Sequence, residues 1–408
     1  MKLKIKLILA FLLGVSLVKA QTNTYQFKRQ ITGVSTNWHS LTLPDGLYQK
    51  LNTGVDDLRI FGIKGKDTIE VPYLLKQRAN EVNTAEIPFK QLNQSTIGDV
   101  YYYTFQLTEA NVINQINLDF KQENFDWKVV LEGSNDNQNW FGILKDYRIL
   151  SIKNKDTDYK FTKLSFPDAK YQFYRIAIKS NLPLTLTGSK TLRTDTIKGV
   201  YNEVKYQTYD LKNDTKNKET VIEVGLKTAV PISFLKLNAQ SDFDFYRAIR
   251  IEYATDSFKT EKGIEYNFST LYEGTISSLE KTEFNFPNTI TGRIKITISN
   301  NDNRPLRLSG LELQGNSYQM IVRFDDLTNE YALYYDSENT LAPNYEIAKF
   351  ESKIPSNLSS VNIGEEQKNP SYTVKVEKPL FENKIWLWAL MAVIIALLGF
   401  FSFRMLKS

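Results

Sequence analysis

The sequence has no cysteine and a single histidine, His39, in 408 residues. Without cysteine there is no disulfide, no thiolate chemistry and no thiolate-held metal, and lipid attachment at a cysteine is excluded, so the fold must rest on burial alone. One histidine rules out a histidine-based triad or a multi-histidine metal site within one chain. His39, beside Trp38, reads as a strand or turn residue. A glycine-rich phosphate loop and a Gly-x-Ser-x-Gly elbow are also missing. Between Tyr25 and Lys76, no helical periodicity lasts more than a turn or two.

Basic charge is scarcer than the formal +5 suggests. Lys2, Lys4, Lys6 and Lys19 lie in an acid-free leader, and setting them aside leaves about +1. Arg404 and Lys407 follow the last apolar segment, so the body between carries about −1. A near-neutral body is no electrostatic trap for phosphates, and nucleic acid is not an expected partner.

The two ends indicate the compartment. Met1 to Ala20 has a basic start, an apolar run from Leu7 to Val18 and the small-residue spacing of a signal peptide cleaved after Ala20. Ile385 to Phe403 is 19 residues without a charge, enough to cross a hydrocarbon core of about 30 Å. Trp386 and Trp388 fit an interfacial belt, and Arg404 and Lys407 follow directly. The expectation is a single-pass protein of the cell membrane. Its body is exported to the periplasm or cell exterior, and a short cytoplasmic tail, 404–408, is too small for a signalling domain.

What is abundant is β-structure. Aromatics reach 13%, and short alternating runs broken by turn residues recur along the body. From Phe125 to Leu144, FDWKVVLEGSNDNQNWFGIL, the residues Trp127, Val129 and Leu131 alternate with Lys128, Val130 and Glu132. A polar turn follows, and Trp140 to Leu144 resumes the apolar run, giving strand, turn, strand. A strand ending in Glu-Gly-Ser-Asn-Asp with a later Trp resembles the signature hairpin of discoidin-type (coagulation factor 5/8 C-terminal-like, galactose-binding-like) domains. That resemblance implies β-sandwich binding modules, often for sugars or lipid head groups.

The same order recurs about 120 residues later in the sequence. Leu107, Ile113 and Leu118 match Leu226, Ile232 and Leu237 in spacing. Phe125-Asp126-Trp127 matches Phe243-Asp244-Phe245, and Ile176-Ala177-Ile178 matches Ile296-Thr297-Ile298. Two tandem copies of one complete domain follow from this. The second copy has Tyr253 to Phe258 in place of the polar turn, so a ligand of the first turn would not be served by it. With the Tyr-x-Leu-Tyr-Tyr run at Tyr331 to Tyr335 and Ala342-Pro343-Asn344-Tyr345, the whole architecture resembles the bacterial domain-of-unknown-function family 3999. It departs in having Asp336 and Ser337 where a glycine turn would follow, and the resemblance brings no established activity.

The expected fold is all-β, with tandem discoidin-like or jelly-roll β-sandwiches and one C-terminal transmembrane helix. The expected layout is a signal peptide at 1–20, an N-terminal β region at 21–80 and sandwiches at 81–192 and 193–317. A β-hairpin region at 318–351, a solvated connector at 352–384, the span at 385–403 and the tail complete it. Asp56 and Asp57 are the acids considered as a catalytic pair, although β-surfaces carry many acids by default. The turn residues Asn135, Asp136 and Asn137 offer oxygen ligands without the spacing or closing Glu of an EF-hand loop. They and Trp140, otherwise a core anchor, are the candidate ligand-binding residues. No catalytic residue, metal or cofactor is assigned. The expected task is recognition of a glycan, another envelope component or a membrane-protein partner. The alternatives are a structural subunit organising a membrane complex and, third, a carbohydrate-active enzyme.

Overall fold

The structure, a computed structural model, describes residues 22–51, 55–155, 158–261, 263–337, 340–373 and 384–406. The expected signal peptide and the end of the tail lie outside these. The chain forms two compact units. One draws on Met1–Leu41, Lys50–Leu75 and Met320–Ser408, and the other on Thr42–Gln49 and Lys76–Gln319.

The second unit contains two all-antiparallel sandwiches in tandem. In the first, a six-stranded sheet runs in the order Asp158–Phe161, Phe141–Lys153, Phe125–Ser134, Phe173–Lys179, Val100–Leu107, Phe89–Ile97. Against it lies a four-stranded sheet in the order Lys163–Lys170, Val112–Phe120, Leu186–Ile197, Glu81–Ile87. The period-two pattern of the central strand does what it implies: Trp127, Val129 and Leu131 are buried in one core with Ile113, Ile116 and Leu118 from the facing sheet.

The second sandwich repeats this strand order with fewer breaks and, among the described residues, without a counterpart of the edge strand Asp158–Phe161. Gly263–Ser277, Tyr246–Thr260, the C-terminal half of Glu283–Ser299, the N-terminal half of Glu219–Gln240 and Tyr206–Asp214 follow one another in the sheet. The other halves of the two long strands pair with each other, and Arg307–Asn316 and Tyr201–Glu203 extend that side. Pairing lapses between Gly225 and Val230. The first sandwich interrupts the chain at the same place, between Val100–Leu107 and Val112–Phe120. The residues matched by spacing are buried in each copy: Leu107 and Leu226, Ile113 and Ile232, Leu118 and Leu237, Ile176 and Ile296.

The first unit is woven from both ends of the chain. One sheet has the order Asn362–Lys368, Phe27–Thr32, Glu330–Tyr335, Arg59–Lys64, Asp67–Val71. A second has the order Ser359–Ser360, Trp38–Thr42, Tyr318–Arg323, Tyr73–Gln77. The segments expected as a separate N-terminal region and hairpin region therefore share sheets. The expected solvated connector is corrected here, because Asn362–Lys368 pairs with Phe27–Thr32. Its polar composition is compatible with an edge strand, and its most buried charge is met: Glu366 pairs with Lys50 and accepts the Tyr335 hydroxyl at 2.9 Å.

The departure at Asp336 also has a local cause. Asp336 takes the left-handed φ of 62° that a glycine would supply. The Asp57 carboxylate accepts the N–H groups of Asp336 and Ser337 at 2.9 and 3.2 Å. At the far end, Lys384–Leu406 is a helix, and Trp386–Met405 is long and apolar enough to cross a membrane. At 1.5 Å per residue, such a stretch spans about 30 Å.

Candidate functional site

The polar turn of the first sandwich is built by Asp136. Its Oδ1 accepts the Ser134 hydroxyl at 3.0 Å and the N–H groups of Gln138 and Asn139 at 2.9 and 2.8 Å. Its Oδ2 accepts the Asn139 side-chain amide at 2.7 Å. These bonds, the Asn139 backbone first, hold the carboxyl well below the usual carboxylate range. Asn137 sits at φ 59°, and the Asn135 side chain accepts the Gln172 N–H at 3.2 Å. Asp136 is thus occupied by its own turn, and Asn135 ties that turn to the neighbouring loop.

An internal control exists at Asp214, which uses the same Asp-x-x-Asn pattern in another hairpin. It accepts the N–H groups of Lys216 and Asn217, each at 2.9 Å, and the Asn217 amide at 2.8 Å. The pattern is a way of making a turn. Among the described residues, no cluster of acids and histidine could hold a metal ion.

Trp140 lies outside the core, on the outer face of the six-stranded sheet. Its ring covers the Arg175 guanidinium at 4.2 Å, and Arg175 pairs with Glu132 at 2.7 Å. Beside the turn, the end of this sandwich is closed. Tyr171 fills the space over Gly133, where a Cβ would come within 2.2 Å of its ring, and Phe141 stacks on it at 6.2 Å. The Gln172 side chain bonds the Leu107 carbonyl.

The corresponding end of the second sandwich is open. Strand register puts Gly225 in the place of Gln106, Thr291 in that of Tyr171 and Gly292 in that of Gln172. Three side chains are reduced, and a cleft of about 610 Å³ results. That volume lies within the range of small-ligand sites, about 300–1,000 Å³. The hairpin Tyr246–Thr260 and Gly263–Ser277 supplies one wall, with Thr255, Asp256, Ser257 and Tyr266. Arg293 stands on the adjacent strand Glu283–Ser299, and Thr208 on Tyr206–Asp214, which pairs with Glu219–Gln240 beyond it. Gly225 lets two strands close up, because a Cβ there would be 2.4 Å from the Thr208 hydroxyl, which accepts the Gly225 N–H at 3.1 Å.

Arg293 lies against the Tyr266 ring at 4.3 Å and pairs with Glu223 at 3.1 Å. Asp256 Oδ1 accepts the Ser257 N–H at 2.7 Å. The cleft presents a partly exposed aromatic ring among hydroxyls, amides, one guanidinium and one carboxylate. Such a set can stack on the apolar face of a pyranose while exchanging hydrogen bonds with its hydroxyls. Sequence reasoning passed over these residues because it followed the polar turn. The available signal was the exchange of Tyr171-Gln172 for Thr291-Gly292.

The two residues considered as a catalytic pair are not in this cleft. Asp57 is fully buried as the acceptor for the Asp336 turn. His39 is also fully buried, its Nε2 accepting the N–H groups of Ser35 and Thr36, each at 3.1 Å, and its Nδ1 bonded to the Ser359 carbonyl at 3.0 Å.

No family profile matches this chain, and no curated protein matches it. Among solved structures, it is similar to the CBM32-1 and CBM32-2 domains of Clostridium perfringens ZmpB at 9% identity and TM-score 0.22, covering 62% of this chain and 94% of that one. A fucolectin from striped bass (Morone saxatilis) serum gives 9% identity and TM-score 0.20, over 59% and 97%. A glycoside hydrolase 29 family member from an unknown rumen bacterium gives 14% identity and TM-score 0.20, over 54% of this chain and 40% of the hydrolase. Likenesses this loose carry no argument, and the fold assignment rests on the strand order and core described above.

Proposed function

We propose that the chain is a binding protein, exported and held at the cell membrane by its C-terminal helix, that recognises a glycan through the open end of its second sandwich. The observation that carries this reading is the cleft itself, with Tyr266 and Arg293 on its wall and hydroxyl and carboxylate groups around them. The same features argue for binding over hydrolysis. Asp256 is the sole carboxylate among the described residues lining the cleft, whereas glycoside hydrolysis ordinarily needs two, about 5–9.5 Å apart.

The test is a glycan array probed with the full chain in lipid nanodiscs, beside its Tyr266→Ala variant. Binding by the first and its loss in the second support the reading. Polysaccharide hydrolysis abolished by a single carboxylate substitution would replace it with an enzyme. Absence of glycan binding, together with a membrane protein that co-purifies with both forms, would favour a structural subunit.

A further inference from the structure

We infer that the cleft of the second sandwich selects amino-bearing and neutral glycans and turns acidic ones away. This rests on the reading of the cleft as a glycan site. Of the described residues lining the cleft, Arg293 is the only cation and Asp256 the only anion, but the two are not equally available.

Arg293 is committed twice. Its Nη1 donates to Glu223 at 3.1 Å, and its guanidinium lies against the Tyr266 ring at 4.3 Å. A guanidinium paired in this way has its charge largely neutralised and some of its donors spent. Glu223 is not itself in the lining, so the pair presents no net positive charge to a ligand.

Asp256 is exposed, and among the described residues its one hydrogen bond is from the Ser257 N–H to Oδ1 at 2.7 Å. An ionised carboxylate has about four acceptor sites, so most of its capacity faces solvent and any ligand. The remaining polar lining, Gln49, Gln207, Thr208, Thr255 and Ser257, is uncharged. A ligand ammonium therefore meets an unopposed carboxylate, and a uronate, sulfate or phosphate meets a like charge.

Opposite charges about 4 Å apart in a water-like medium interact weakly, and the effect corresponds to a preference of roughly three- to tenfold. It should fall as salt rises, because the screening length drops from about 10 Å at 0.1 M to about 3 Å at 1 M.

The experiment is calorimetric titration of the full chain in zwitterionic-lipid nanodiscs with three probes: chitotetraose, its fully N-deacetylated counterpart and tetragalacturonate. Empty nanodiscs provide the blank. At low salt and a pH where the amines are charged, the deacetylated probe should bind about three- to tenfold more tightly than chitotetraose, and tetragalacturonate at least about tenfold more weakly. Asp256→Asn should bring the ratio of the deacetylated-probe and chitotetraose affinities close to one, whatever it does to the chitotetraose affinity itself. Tyr266→Ala should weaken all binding.

Tetragalacturonate bound as tightly as chitotetraose, in a manner that Tyr266→Ala abolishes, would overturn the charge inference and leave the glycan site standing. An unchanged ratio in Asp256→Asn would do the same. Absence of binding by every probe, with a blank glycan array, would remove both.

Discussion

Arg175 and Lys295 hold the same place in the two sandwiches, each opposite a glutamate across the sheet and each under an aromatic ring. Arg175 pairs with Glu132 and is covered by Trp140 at 4.2 Å. Lys295 pairs with Glu252 at 3.0 Å and is covered by Phe268, also at 4.2 Å. The rings arrive by different routes, Trp140 from the polar turn and Phe268 from the long hairpin. The cation, carboxylate and ring together fasten hairpin to sheet in both copies.

This fastening predicts a modest, local cost. Arg175→Ala should destabilise the second unit by about 1 kcal/mol, since cation–π contacts and partly exposed ion pairs are each worth about 0.5–1 kcal/mol. Hydrogen exchange should rise in Phe141–Lys153 while Gly263–Ser277 stays unchanged. Lys295→Ala should give the reverse pattern. An equal response of both hairpins to either variant would contradict independent fastening.

Gly133→Ala should cost more, because the new methyl group would meet the Tyr171 ring. Overpacking of this kind costs about 1–3 kcal/mol. Chemical denaturation should show the loss, and adding Tyr171→Ala should remove the overpacking part of it. Gly292→Ala, where a Cβ would have only ordinary contacts of 3.8 Å or more, should be nearly neutral.

Asp136 gives a pH prediction. Its folded-state pKa is depressed, so its contribution is complete above the ordinary aspartate value, about 3.9, and is lost only as pH falls through the lower folded value. The amides of Gln138 and Asn139 should therefore keep their hydrogen-exchange protection down to about pH 4.5 and lose it in stronger acid, after correction for intrinsic exchange rates. Loss of protection between pH 6 and 4.5 would show that the carboxylate does not hold the turn.

Asp57→Ala should unfold the first unit preferentially, because it leaves the buried N–H groups around the Asp336 turn without their acceptor. Unsatisfied buried groups cost about 1–3 kcal/mol each. Limited proteolysis should open Glu330–Tyr335 while the sandwiches remain resistant, and glycan binding by the cleft should persist. A variant with intact folding and altered glycan processing would instead restore a catalytic role for this aspartate.

The fold was legible where side chains alternate. Trp127, Val129 and Leu131 face the core as their period requires, and the spacing shared by the copies marks equivalent buried positions. The pairing of Phe27–Thr32 with Glu330–Tyr335 was not legible, because no local pattern records partners about 300 residues apart. The Asn362–Lys368 strand was hidden by its polar composition, in which Glu366 finds its partners far away in sequence, at Lys50 and Tyr335.

At the candidate site, the sequence drew attention to what is present, the Asn135 to Asn137 turn. The cleft depends on what is reduced, at Gly225, Thr291 and Gly292. A cavity is made by small residues, and these are inconspicuous until register places them opposite their larger counterparts.

The proposed ligand site is the open end of the second sandwich and not the polar turn of the first. The direct measurement is calorimetric affinity of the full chain for the strongest array ligand, compared between Tyr266→Ala and the double variant Asn135→Ala/Asn137→Gly, whose glycine preserves the turn's positive φ. Tyr266→Ala should lose about fivefold or more, as expected when one stacking ring worth about 1–3 kcal/mol is removed, and the double variant should change by no more than about twofold. Unchanged affinity in Tyr266→Ala with loss in the double variant would place the site at the turn instead.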